Sequence, residues 1–515
     1  MKRKAILLMV LVTILLLACS CPVSAVPSLL STSTPRSLPA TATPERIAPP
    51  PPPISQAEAP FNVAWDDRSL FEKNLASTSQ DILTGLPGAS VYHIAFSISN
   101  PPTQVNGIEE VMYTNTENVD LTEVDFAVFS EILGGSITIN NLTLDGQSIP
   151  PTHENGLMRV PLSNPLKPGE SVTFHLEFKV TVPTLGGDYY YGIFGYNDNI
   201  LSLAHAYPTI LVYNEQGWNN QTPDLDGDPL FSDTSFYLVS IDSPADLTMV
   251  ASGVEVDRLE TAGRQRVLYA DGPARDFYLV ASSDFIKQSE KVGEITFNSY
   301  TSTKLKAYAK AALKTAEAAI GDFSSRYFPY PYTEFDIAPI ITSAGGVEFP
   351  GMTVIADNVY SGGDFLEIVV THEVGHQWFY NLVGNETQGQ PWLDESLAEF
   401  VTWQYYLDEH GTTGAQSYRE EMQATWDSLN DQKIPIGKPV SAYTSDGYVA
   451  IVYGRGPFFF LALRQLVGQE VFDKLMQDYA HTFAWKIATT DSFKQLAERD
   501  CACNLTQLFD EWVNP

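Results

Sequence analysis

The period of the apolar residues changes near residue 300, and no single regular architecture accommodates both halves of this 515-residue chain. From about 90 to 300 apolar and polar residues alternate, as in Ser136–Leu144 and Ser171–Val182, and turn pairs such as Asp145-Gly146 and Pro168-Gly169 punctuate the runs. Alternation with period two is the mark of half-buried strands. From Lys304 the period becomes helical, with Leu305, Tyr308, Ala312, Ala316 and Ile320 on one stripe. Further helices are expected at roughly 364–383, 392–410, 414–430, 456–467 and 470–485. The fold class read from this is α+β: an antiparallel, saddle- or sandwich-like β domain over 61–300, then a mostly helical domain over 301–515. No repeat of 20–50 residues is visible.

The first 25 residues read as an export signal. Lys2, Arg3 and Lys4 precede an apolar run from Ala5 to Leu17, which at about 1.5 Å per residue is too short to span a bilayer. Leu16-Leu17-Ala18-Cys19 resembles a lipobox with Cys19 as the lipidated residue, while Val23-Ser24-Ala25 offers an ordinary cleavage site. The expectation is an exported protein, held at the cell surface by a lipid rather than freely secreted. Residues 26–60 contain ten prolines and suit a semi-rigid spacer. No later segment is apolar for 18 residues, so membrane contact is expected only through the anchor. The 62 acidic against 30 basic residues, a net charge of −32, argue against nucleic acid as a partner.

Four cysteines exclude a disulfide-dense scaffold, and Cys501-Ala502-Cys503 reads as a structural or locally oxidised loop. Asp224-Leu225-Asp226-Gly227-Asp228 has the look of a calcium loop, but Ser235 stands where a bidentate Glu is required. A solvated turn is the expectation there.

His372-Glu373-Val374-Gly375-His376 is the most specific motif. Residues four apart share a helix face, so both imidazoles reach one metal. Phe365, Val369, Phe379 and Val383 are expected on that same inward face. A catalytic zinc needs a third protein ligand and one open position. Glu395, opening a new helix in Trp392-Leu393-Asp394-Glu395-Ser396-Leu397-Ala398, supplies it after the chain reverses over Gly384–Pro391. Glu399, one turn on, either holds a ligand imidazole or lies on a solvated face.

The two motifs, with eighteen residues between them, resemble the aminopeptidase-N-like gluzincin metallopeptidases, in which the second stretch is usually Trp-Leu-Asn-Glu-Gly-Phe-Ala. Gly345-Gly346-Val347-Glu348-Phe349 stands where that family carries Gly-x-Met-Glu-Asn, and Tyr453-Gly454-Arg455-Gly456 where it carries Tyr-x-Lys-Gly. The likeness extends over about residues 90–515. It implies a thermolysin-like catalytic domain, one zinc ion per chain, and removal of N-terminal residues from peptide substrates. Glu373 is then the general base and Tyr453 the donor to the developing oxyanion, with Tyr448 a second candidate. Glu348 binds the substrate's α-amino group, and Gly345 and Gly346 allow close backbone approach.

Phe349, Val347 and Arg455 depart from the family pattern, and the chain stops about where the catalytic domain ends, without the large helical domain that roofs the site in many members. A more open cleft is therefore expected. Two other readings stay open at this level: a zinc endopeptidase, and a catalytically silent surface binding protein.

Overall fold

The structure is a computed structural model that describes residues 60–184, 191–430 and 433–514. The export signal, Cys19 and all but the last residue of the proline-rich spacer lie outside the described residues. Everything described belongs to one compact unit.

An eight-stranded sheet forms the spine of the β-rich part. Its order is 254–261, 264–274, 235–244, 91–98, 104–114, 171–181, 136–144 and 147–148. All its pairs are antiparallel except Val91–Ile98 with Ser235–Pro244, which run parallel. The alternation does what period two requires: along Ser171–Thr181 the residues Phe174, Leu176, Phe178 and Val180 are buried while their neighbours are more exposed. Opposite Phe178 sits Gly107, where a Cβ would come within 2.2 Å of the phenyl ring, so the ring lies directly over the backbone. Two four-stranded sheets contribute the other walls of this core.

The alternation also turns one carboxyl inward. Glu109 is fully buried, neither of its oxygens has a hydrogen-bond partner, and burial pushes its pKa well above 4.5. The folded chain keeps a proton that the unfolded chain loses above that pH, so this group weakens stability progressively as pH rises. Glu109→Met is therefore expected to stabilise the protein by about 2 kcal/mol at pH 7.5, and by less at pH 5. Denaturant unfolding at the two pH values measures both; a loss of stability at each would contradict the assignment.

A five-stranded sheet underlies the helical half. Ile286–Val292, Ile295–Thr301, Glu334–Ile340, Met352–Ala356 and Gly346–Phe349 lie side by side in that order, so its first two strands come from before residue 302. One face of this sheet packs on the β-rich part. Phe349 stacks on Tyr278 with ring centroids 3.7 Å apart, and Val347, Met352 and Val354 share a cluster with Val250 and Val280. The buried Arg275 guanidinium donates to the carbonyls of Ser232, Tyr380 and Lys486, at 3.1, 2.6 and 2.7 Å, tying the two halves together.

The helices differ from their expected registers in instructive ways. Lys306–Arg326 buries Ala309, Ala312, Leu313, Ala316, Ile320 and Phe323, whereas Tyr308, assigned to the buried stripe, is exposed. The expected 364–383 helix ends at Gly375, with His376 as its cap. Phe379 and Val383 then lie beyond the helix, in a turn and a short strand, and Phe365 is 51% exposed rather than inward. Gly375 explains the crossing with the next helix, Glu395–Glu409. A Cβ there would lie 2.9 Å from Val401 and 3.5 Å from Ala398, so only a glycine lets the two backbones approach this closely.

Candidate active site

Glycine-mediated contact of the two helices sets the metal-binding geometry. His372 lies in the last turn of Asp364–Gly375, His376 immediately after it, and Glu395 is the first residue of its own helix. Asp394 caps that helix by accepting from the Glu395 amide, and is itself held by Asn385 at 2.9 Å. The Nε2 atoms of His372 and His376 lie 3.1 Å apart, and Glu395 Oε2 is 3.2 and 3.4 Å from them. Tetrahedral zinc with bonds near 2.0–2.1 Å separates its ligand atoms by about 3.3 Å, so this triangle fits the ion. All three residues are buried and converge on one point.

The tautomers are set from behind. His376 Nδ1 lies 3.1 Å from the Phe379 carbonyl, and only an N–H can donate there, which leaves Nε2 as the metal-facing lone pair. His372 Nδ1 lies 3.2 Å from Glu399 Oε1, and Glu399 in turn accepts from the Tyr418 hydroxyl. Glu399 is half-buried and faces the His372 ring at this distance.

Glu373 faces the other side of the triangle. Its Oε2 is buried without a partner, and burial lifts its pKa to about 7 against the opposing pull of His372 and His376. Gly346 backs this carboxyl so closely that a Cβ would sit 2.5 Å from Oε1, so the glycine makes room for the base as well as for a ligand. Gly345 is looser, its nearest neighbour being Val369 at 3.5 Å.

Tyr453 belongs to a π-helical turn over Val449–Arg455, a geometry that recurs at functional sites. Ser396 donates to the Val452 carbonyl of this turn at 2.6 Å. The Tyr453 ring stacks on His372 at 5.9 Å, and its hydroxyl is kept protonated by burial and by the charge of Glu395. A neutral phenol beside the metal triangle is a hydrogen-bond donor. Tyr453→Phe is expected to keep the metal and lower kcat by about 10²–10³-fold; steady-state kinetics alongside zinc analysis checks it. Tyr448 packs edge-on against Tyr453, with centroids 5.7 Å apart, and supports that ring. Arg455 points the other way. It donates to the carbonyls of Ile434, Glu511 and Trp512 and lies over the Trp512 ring, so its place in the family's lysine position concerns the C-terminal turn and not the cleft.

A cavity of 560 Å³ opens over these groups. It also holds Glu348, buried, with Oε1 unpartnered, and its carboxyl is pushed well up by burial and by the charges of Asp228, Glu395 and Glu373. Asp228 belongs to the acidic loop that reads from the sequence as a solvated turn. It is instead 7% exposed, accepts from the Tyr191 hydroxyl at 3.2 Å, and lines the same cavity. Burial and Glu395 raise its pKa to about 7. No lysine or arginine lines the cavity among the described residues. Burial and mutual repulsion push both carboxyls up, and an incoming positive charge would offset both. Phe365 also lines this cavity, which accounts for its exposure. Cys501 and Cys503 form a disulfide at the end of the Thr490–Cys501 helix, away from these groups.

Residues 311–512 match the Peptidase family M1 domain. Human aminopeptidase B is 29% identical over 178 residues, covering 32% of this chain and 27% of the relative. Leucine aminopeptidase 2-1 of Meyerozyma guilliermondii is 26% identical over 186 residues, covering 33% and 29%. The match thus spans little more than a quarter of the length of these relatives. The M1 zinc metallopeptidase of Deinococcus radiodurans shares the fold over 82% of this chain and 93% of its own, with a TM-score of 0.61 and 18% identity. A two-domain M1 zinc metallopeptidase solved with L-tryptophan superposes with a TM-score of 0.64, over 83% and 94% of the chains at 18% identity. Residues 311–512 thus form a Peptidase family M1 domain, and with the paired motifs and the two-part fold the chain resembles the aminopeptidase-N-like gluzincins.

Proposed function

We propose that this protein is an exported zinc aminopeptidase that removes single residues from the free N-termini of peptides. The observation that carries the reading is the pairing of a zinc-sized ligand triangle with two buried carboxyls, Glu348 and Asp228, in a cleft lined by no lysine or arginine among the described residues.

His372, His376 and Glu395 would hold a zinc ion, which would supply Lewis acidity for the scissile carbonyl and a lowered pKa for the attacking water. Glu373 takes the water's proton on its open Oε2 and returns it to the leaving amine. The Tyr453 hydroxyl donates to the carbonyl oxygen as it becomes negative. Glu348 and Asp228 accept the substrate's ammonium, whose charge compensates both, and so fix the peptide one residue from its end. The Phe379 carbonyl and Glu399 hold the imidazoles in register while the charge redistributes.

The decisive assay compares an aminoacyl reporter with its N-acetylated twin, with and without chelator. Chelator-sensitive cleavage of the free amine alone supports the reading. Equal cleavage of both would replace it with an endopeptidase.

The basic residues at 2–4, the apolar run to Leu17 and the lipobox-like Leu16–Cys19 support export and a lipid anchor at Cys19. Mass spectrometry of the mature N-terminus distinguishes a lipidated Cys19 from cleavage after Ala25.

A further inference from the structure

We infer that the Asp224–Asp228 loop is the wall that confines this cleft to free N-termini, and that Gln388 is the positioning residue that holds the wall in place. The inference rests on the aminopeptidase reading and goes beyond it by naming what makes the site an exopeptidase site.

The loop issues from the β-rich part but is fastened to the catalytic half. A single side chain grips both of its ends: Gln388 Oε1 accepts from the Asp224 amide at 2.7 Å, and Nε2 donates to the carbonyls of Asp224 and Asp228 at 3.1 and 2.7 Å. Ser445 donates to Asp226 at 2.6 Å in the middle. Gly227 lies flush on its support, since a Cβ would fall 2.6 Å from Val440 and 3.2 Å from the Tyr448 hydroxyl. Tyr448 thereby stands between the loop and the Tyr453 ring.

Two cavities flank this wall. On one side is the 560 Å³ cleft, reached by Leu225, Asp226, Gly227 and Asp228. On the other is a larger, polar cavity of 780 Å³, bordered by Asn214, Trp218, Gln221, Pro439 and Ser441, and Leu225 borders both. A peptide lying across the metal site with residues ahead of the scissile bond would have to continue through the loop. It meets Asp228 and Glu348 instead, which suit an ammonium and leave an acylated nitrogen uncompensated. The second cavity offers room for such a chain only if the loop moves.

Gln388 is separable from the metal site although its segment is not. Asn385, in the same connection, holds Asp394 and through it the start of the Glu395 helix, and Thr387 donates to the Leu230 carbonyl. The Gln388 side chain directs its three hydrogen bonds to the loop, so its removal leaves the ligand triangle supported.

The test uses the zinc-loaded full chain as wild type, Gln388→Ala and Ser445→Ala. Each is assayed on an aminoacyl reporter, its N-acetylated twin, and an internally quenched peptide with a blocked N-terminus. Wild type is expected to favour the free amine by at least about 100-fold, the value of charge-assisted contacts in a dry site. Gln388→Ala should raise KM for the free amine about tenfold with little change in kcat, narrow the preference at least about tenfold, and begin to cleave the blocked peptide internally. Ser445 is exposed, so Ser445→Ala folds regardless and should shift the preference in the same direction by a smaller factor. An unchanged preference in both zinc-retaining variants overturns the wall. A wild type without any preference overturns the aminopeptidase reading instead, so the two failures are distinguishable.

Discussion

Glu373→Gln is expected to lower kcat by about three to four orders of magnitude while zinc content and melting temperature stay at wild-type values. The amide keeps the shape of the carboxyl against Gly346 but cannot take a proton at the position where Oε2 now stands unpartnered. General-base assistance is worth about 10²–10⁴-fold, and here the same group must also return the proton to the amine. KM should change little, because Glu373 is not among the groups that receive the substrate's ammonium. Stopped assays at high enzyme concentration with parallel metal analysis measure this. Retention of more than a tenth of the activity would remove Glu373 from its role.

His376→Ala should lose both zinc and activity. With one imidazole gone, His372 and Glu395 offer two protein ligands where a catalytic site uses three, and the ion is no longer retained through dialysis. The loss has a stability signature too. A ligand present at about 1,000 times its Kd stabilises the folded state by about 4 kcal/mol. Chelation should therefore lower the melting temperature of wild type, and leave that of His376→Ala unmoved. A chelator-sensitive melting curve in the variant would mean that the ion sits elsewhere. These two variants separate the chemistry from the metal: one keeps the ion and loses the proton transfer, the other loses both.

The metal site was legible because its information is local. Four-residue spacing on a helix brings His372 and His376 together whatever the rest of the chain does, and a carboxylate at the start of the following helix is a short reach away. These β-strands were legible for the same reason, since Ser136–Leu144 and Ser171–Thr181 carry their own alternation. Errors appear where periodicity states a spacing but not a neighbour. Tyr308 keeps helical phase with Ala312 yet lies in the first turn of its helix, in solvent. Phe365 sits likewise in the first turn of the helix that carries His372, where it borders the open cleft instead of a packed neighbour. Asp228 and Gln388 carry no local mark of the cleft: the acidic loop, lacking a calcium loop's closing Glu, reads as a turn, and a glutamine between two motifs reads as linker.

The amino-acid order alone therefore determined the grouping of His372, His376 and Glu395 and the sequence of a β-rich half before a helical one, because each depends on contacts between residues near in the chain or on a repeating period. Only the tertiary structure decided which carboxyls share the cleft with the metal site. Asp228 and Glu348 are 120 positions apart, and they meet because the five-stranded sheet packs its Phe349 face against Tyr278 while Gln388 fastens the acidic loop to the catalytic half. Burial there raises the pKa of two ordinary carboxyls together, a property of their shared low-dielectric surroundings that no stretch of sequence contains.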